Sequence, residues 1–94
     1  MDKQQALKWM IGRLLMIQSS PTSDFLARME VAAHEDIDAI IDMQLMTAEE
    51  VAGVVRQVQC AVSDRQAQFD AASNVVSLAM HRMQHESHFT GGAA

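Results

Sequence analysis

Three histidines near the carboxyl end of the sequence, His81, His85 and His88, are spaced four and then three residues apart. On a helix this spacing places all three imidazoles on one face, where they could chelate a metal ion or titrate near neutral pH. The alternative is an ordinary polar helix end, where histidine and arginine favour the negative end of the helix dipole. We favour this second interpretation because no cysteine or carboxylate elsewhere marks a second half-site, and metal or pH sensing is kept as the alternative function.

The other reactive side chains do not form a catalytic pattern. The single cysteine, Cys60, has no charged neighbour in sequence that would activate its thiol. No spacing of serine, cysteine, histidine and aspartate predicts a nucleophile with its base and an orienting group. His34 and Asp38 lie in an acidic run, but a metal site in a helical bundle needs ligands repeated on facing helices. We therefore predict no catalytic residue, no enzymatic activity and no cofactor.

Composition excludes several classes of partner. The 94 residues carry a net charge of −5, and the seven lysines and arginines are scattered, which argues against binding to nucleic acid. The apolar run around Trp9 is too short to span a bilayer and is interrupted by Arg13, so no membrane association is expected. A lone cysteine cannot form an internal disulfide, and together with the lack of an export signal this predicts the cytoplasm.

The sequence predicts an all-α fold. Pro21 is the only proline, and glycine is almost absent before the carboxyl end. We expect a first helix over residues 3–17 and a second over 21–44, with Ser20 as its N-cap and Pro21 at its first position. Thr47 and Glu50 have the spacing of a capping box, which predicts the start of a third helix.

The third helix carries the strongest pattern in the chain. Ten positions from 51 to 83, taken in steps of four and three, are apolar except at Arg65. If this helix runs unbroken over 47–88 it is about 63 Å long, so its far end must protrude or fold back. We favour continuity, which gives a three-helix chain made of a helical hairpin and a long, coiled-coil-like C-terminal helix. A break within 63–74 would instead produce a four-helix bundle.

We expect a single helical domain over 1–89, a disordered C-terminal segment over 90–94, and a homodimer formed through the third helix. Arg65 departs from the apolar seam, and it either marks the register, meets a partner's carboxylate or marks a break. The predicted dimer interface consists of Val55, Val58, Val62, Phe69, Ala72, Val76, Ala79 and Met83.

The first helix is apolar on more than one side, which predicts burial on more than one side. Its expected inner stripe consists of Leu7, Met10, Ile11, Leu14 and Leu15. Trp9, Arg13 and Met16 lie on another side, and we predict that they bind a protein partner, because tryptophan and methionine are frequent anchors of interfaces. The function expected from these patterns is that of a small non-enzymatic interaction module: a regulator, an inhibitor, a co-chaperone, or an accessory protein of a phage or mobile element.

Overall fold

Three helices account for the fold, which confirms the all-α, three-helix prediction. The computed structural model describes the backbone of residues 1–93 and their side chains, except at Ser77, His81 and 83–93. Helix α1 spans Lys3–Gln18, α2 spans Ser23–Asp42 and α3 spans Ala48–Ala93. Because α3 is one continuous helix, the alternative of a break within 63–74 is wrong. The predicted disorder of 90–94 lies outside the residues with described side chains and stays a prediction.

Local side-chain contacts define where each helix begins. At α1, the Asp2 carboxylate accepts from the Gln5 amide N–H while the Gln5 side chain accepts from the Asp2 N–H. Thr47 and Glu50 make the same reciprocal pair at α3, at 3.0 and 3.2 Å, so the predicted capping box is confirmed. Each pair satisfies two amide groups that have no partner within the helix.

The start of α2 differs from the prediction. Thr22, two residues after Ser20, is the N-cap, and its hydroxyl accepts from the Phe25 amide at 3.1 Å. Ser20 is instead buried, and its hydroxyl donates to the Met16 carbonyl at 2.9 Å. Ser19 is the C-cap of α1, and Ser20 closes the turn that follows it. Pro21 lies in that turn before α2 begins. At its other end α2 stops at Asp42, two residues earlier than expected, and Gln44 adopts a left-handed backbone with a φ of 53°.

The helices form an up-down-up bundle. An ion pair between Lys3 and Glu50 joins the N-terminal ends of α1 and α3, so these two helices run parallel. Short turns make α2 antiparallel to both. Among the described residues, the core of the bundle consists of nine buried apolar residues: Ala6, Met10, Ile17, Leu26, Ala33, Ile37, Ile40, Val58 and Ala61.

The expected inner stripe of α1 is wrong at three of its five positions. Met10 is buried and Leu14 packs against the core, but Leu7 is exposed, and Ile11 and Leu15 are 57% and 59% exposed. The face that packs inward contains Ala6, Met10 and Ile17. Helix α1 is therefore buried on one side only within a single chain.

The bundle covers only the first half of α3. Among the α3 residues with described side chains, Phe69 is the last that packs against the core. The 24 residues from 70 to 93, here called the tail, extend about 36 Å farther. The molecule measures 73 × 19 × 16 Å, which is close to the length of α3 itself. The far end of α3 therefore protrudes and does not fold back.

Candidate interaction surfaces

The predicted dimer seam divides into two parts. In the first part, Val58 is 1% exposed and belongs to the core of a single chain, and Val55, Val62 and Phe69 pack against that core. Their assignment to a dimer interface is therefore corrected to packing within their own chain. A helix seam in sequence does not reveal whether the covering helix comes from the same chain or from another.

The second part of the seam lies on the tail and is uncovered. Ala72, Val76 and Ala79 are exposed, and Met80 is exposed beside them. We call these four residues the tail stripe. Val76 is 57% exposed although it occupies the same face of α3 as the buried Val58, eighteen residues or five turns earlier. Met83, the last predicted seam residue, lies outside the residues with described side chains.

A second apolar side is present on the tail. Val75 and Leu78 are 65% and 68% exposed, and helical geometry places them about 100° and 160° from Val76 around the axis. The tail therefore exposes large apolar side chains in more than one direction. The polar side chains described there include Asn74 and Arg82, both of which are exposed.

The contacts of Arg65 explain why a polar residue stands in the otherwise apolar seam. Its Nε and Nη2 groups donate to the Ser20 carbonyl at 2.9 and 2.6 Å, and its guanidinium lies 4.6 Å from the centre of the Phe69 ring. Its Nη1 group donates to the Gln68 side chain at 2.6 Å. Arg65 thus binds the α1–α2 turn to α3 at the level where the bundle ends. None of the three expected roles involved this carbonyl, which lies 45 residues away in sequence.

Arg13, predicted to bind a partner, is engaged within the chain. Its Nε donates to the Asp36 carboxylate at 2.7 Å, and the two side chains are only 18% and 7% exposed. Its Nη1 also contacts the Met29 sulfur at 3.5 Å. The predicted partner-binding role of Arg13 is therefore corrected to an ion pair between α1 and α2. The signal in the sequence was Asp36 itself, which lies three residues after Ala33 and four before Ile40, on the apolar face of α2.

Trp9 and Met16 lie on either side of Arg13 along α1. They are 37% and 41% exposed, so most of the Trp9 surface is already covered by its own chain. Between them, a Cβ atom built on Gly12 would have no neighbour within 4 Å, so the surface there is open. The binding of a partner by Trp9 and Met16 stays a prediction, with a smaller accessible area than the sequence suggests.

The polar surfaces do not assemble a chemical site among the described residues. Glu35, Asp38 and Asp42 are exposed on the outer side of α2, as expected. The Lys3 ammonium, with the Thr47 amide, lowers the pKa of the Glu50 carboxyl. A shallow groove between α1 and α3 is lined by Leu14 together with polar and small residues, among them the exposed Cys60.

Metal binding is not supported by the part of the chain with described side chains. Within it, no three histidine, cysteine or carboxylate residues are grouped closely enough to hold an ion. His81, His85 and His88 lie outside those residues, so their predicted site stays a prediction. None of the helices, as far as they are described, combines the length and apolarity needed to cross a membrane.

Comparisons with known proteins do not add a relative to this description. No family model, curated protein or solved structure matches the chain.

Proposed function

We propose that the protein is a non-enzymatic interaction module that binds a helix of a protein partner along the tail stripe. The observation that supports this proposal is the continuity of one apolar face of α3. Inside the bundle this face packs in the core of its own chain through Val58 and Phe69, and on the described part of the tail the same face is exposed.

Helix energetics support a partner for the tail. An isolated helix is marginal in water, and most helical stability in proteins comes from packing of an amphipathic face. Complete burial of a side chain such as that of Val76 or Met80 stabilises by about 1.5 to 3 kcal/mol. A partner helix that covered the tail stripe would therefore stabilise the tail while it gained affinity from the same contacts.

The chemistry of the tail stripe favours an amphipathic helix as the ligand. Apolar residues at 72, 76, 79 and 80 follow the spacing with which helices pack into each other's grooves. Ala72 and Ala79 have small side chains, which allow a close approach of two backbones. Asp70 and Arg82 are the charged residues in the described part of the tail, so apolar complementarity, more than charge, would select the partner.

Regulation, inhibition or chaperoning of a cytoplasmic protein would each fit such a module. The free thiol of Cys60 is compatible with a reducing compartment. The acidic outer side of α2 would keep the bundle in solution and away from nucleic acid while the tail binds its partner.

The test compares two variants that add the same charge to opposite sides of the tail. Val76→Asp places a carboxylate on the tail stripe, and Asn74→Asp places one on the opposite, exposed side. Each purified variant is used to capture proteins from the native host, with mass spectrometry as the readout and circular dichroism as a check of folding. We expect a specific partner that the wild type and Asn74→Asp retain and that Val76→Asp loses. Equal retention of that partner by both variants would contradict the proposal.

A further inference from the structure

We infer that the outer face of α1 binds the α1 helix of a second copy of this chain, in the antiparallel direction and centred on Gly12. Four large apolar side chains are exposed on this face, those of Trp9, Ile11, Leu15 and Met16. The inference goes beyond the proposed function, because it concerns a surface of the bundle and leaves the tail stripe to its own partner. It also places the contact of the homodimer on α1, whereas the sequence predicted it on the third helix.

Gly12 has no structural role within its own chain. It lies in the interior of α1, where glycine is less favourable than alanine because its backbone loses more conformational freedom on folding. Its φ is not positive, and a Cβ atom built on it would have no described neighbour within 4 Å. Alanine would therefore fit at this position. The close approach that glycine permits is available only to a helix from outside the chain.

Helical geometry places Gly12 at the bottom of a furrow between two apolar ridges. Trp9 and Met16 point about 40° to 60° to one side of Gly12 around the helix axis. Ile11 and Leu15 point about 60° to 100° to the other side. A helix packed over Gly12 would contact both ridges while the two backbones approach each other closely.

The exposed apolar area of the furrow suits a weak dimer. The four side chains, which are 37 to 59% exposed, offer on the order of 400 Å² per copy, within the range typical of functional patches on monomers. With the polar residues at its rim, a symmetric pair buries about 1,000 Å², the lower limit for a specific interface. The contact is isologous, and we expect a dissociation constant in the micromolar range.

The distribution of charge favours a second copy as the occupant of the furrow. The chain carries a net charge of −5, and both α2 and α3 contain acidic residues, whereas α1 contains none. Two copies of an acidic protein repel each other least where they meet through a helix without carboxylates. The outer face of α1 is therefore the side of the bundle best suited to contact itself.

Lys8 sets the direction of the pair. It is exposed and lies one turn before Gly12, close to the middle of the outer face. A parallel pair centred on Gly12 would place the two Lys8 ammonium groups side by side, where they repel each other. In an antiparallel pair, Lys8 lies beside Leu15 of the other copy, and its apolar stem covers that side chain. Trp9 then lies opposite Met16 of the other copy, which pairs an aromatic ring with a thioether.

Substitution of the glycine separates the dimer from the fold. Gly12→Ala should raise the melting temperature of the dilute protein, because alanine is the better helix former. The same change should weaken the dimer by about tenfold or more, because the new methyl group lies between two backbones. Gly53→Ala, inside α3, is the matched control and should leave the dissociation constant unchanged. Sedimentation equilibrium at micromolar to millimolar concentrations measures this constant, and circular dichroism follows melting.

A second pair of variants tests the direction. Leu15→Glu should weaken the dimer less than Leu15→Arg, because position 15 lies beside Lys8 of the other copy, where a carboxylate can pair with the ammonium group. Equal weakening by the two charges would overturn the antiparallel direction.

A wild-type protein that stays monomeric at millimolar concentration would overturn the second copy as the occupant and leave a helix of another protein in its place. A dimer that is unchanged in Gly12→Ala would also overturn the inference, as would a dimer that Val76→Asp abolishes. The proposed function is judged separately, by whether a captured host protein depends on Val76, so the failure of one does not decide the other.

Discussion

The two halves of α3 carry the same apolar spacing and lie in different surroundings. From Ala48 to Phe69 the apolar face is covered by α1 and α2, and from residue 70 onward the described part of that face is exposed. The contrast shows that periodicity identifies a face that packs, while the lengths of the neighbouring helices decide where its covering ends. Helix α1 has 16 residues and α2 has 20, so neither can accompany a helix of 46 residues to its end.

The largest expected difference in stability comes from placing one carboxylate in each half of α3. Val58→Asp buries a carboxylate without a partner in the core and should destabilise the bundle by about 3 to 5 kcal/mol. Val76→Asp, on the exposed stripe, should change the free energy of unfolding of the monomer by less than about 0.5 kcal/mol. Urea denaturation at low protein concentration measures both. A strong loss of monomer stability in Val76→Asp would show that the tail stripe packs against its own chain.

The ion pair between α1 and α2 should give the next largest effect. Asp36→Ala leaves the largely buried guanidinium of Arg13 without its carboxylate, with an expected loss of about 2 to 4 kcal/mol. Asp38→Ala removes an exposed carboxylate two residues away and is the matched control, with a change below about 0.5 kcal/mol.

The double variant Arg13→Met with Asp36→Leu should recover most of the lost stability, because apolar residues can replace a buried ion pair at little cost. If the double variant were as unstable as Asp36→Ala, the attraction between Arg13 and Asp36 would stabilise the bundle by more than the desolvation of their two charges costs. Chemical denaturation of the wild type, Arg13→Met, Asp36→Leu and the double variant forms a complete mutant cycle.

At the boundary between the two halves, Arg65→Gln should cost about 1 to 3 kcal/mol, because the Ser20 carbonyl loses two charge-assisted hydrogen bonds. Arg65→Lys keeps the charge but not the paired donors and should recover only part of this loss. Arg56→Gln, at an exposed position of α3, is the control. Thermal unfolding measures the stability of each variant. An Arg65→Gln protein as stable as the control would show that the contact between Arg65 and the Ser20 carbonyl does not stabilise the bundle.

The smallest effect is expected at the far end of the bundle. Because contact with Lys3 lowers the pKa of Glu50, its carboxylate contributes stability that is complete above the ordinary pKa of a glutamate and is lost as the pH falls through the lowered value. Glu50→Gln should therefore be slightly less stable than the wild type at neutral pH and equal to it in acid. Glu49→Gln removes an exposed carboxylate from the same turn and leaves the contact between Lys3 and Glu50 in place, so it is the matched control. Denaturation series at several pH values test the difference.

Local signals were sufficient to predict the helices but not all of their faces. The Thr47–Glu50 box and the unbroken phase of α3 depend on residues close in sequence, and both were predicted. The inward face of α1 was not, because large apolar residues surround that helix while Ala6, which is fully buried, has little weight in a hydrophobic pattern. The contact between Arg65 and Ser20 was missed for another reason: it joins residues 45 positions apart, and a carbonyl group has no signature in the sequence.

The tail and the bundle belong to one uninterrupted helix, so the residue count alone sets the direction in which the tail stripe points. Each residue turns the helix by 100° and lengthens it by 1.5 Å. One residue inserted after Phe69 would rotate the stripe by about 100° relative to the bundle, whereas seven would turn it by only about 20° and move it outward by about 10 Å. A change in the length of α3 therefore alters both the direction of the tail stripe and its distance from the bundle. Insertions of seven residues keep the direction nearly constant, so we expect whole heptads to be tolerated best.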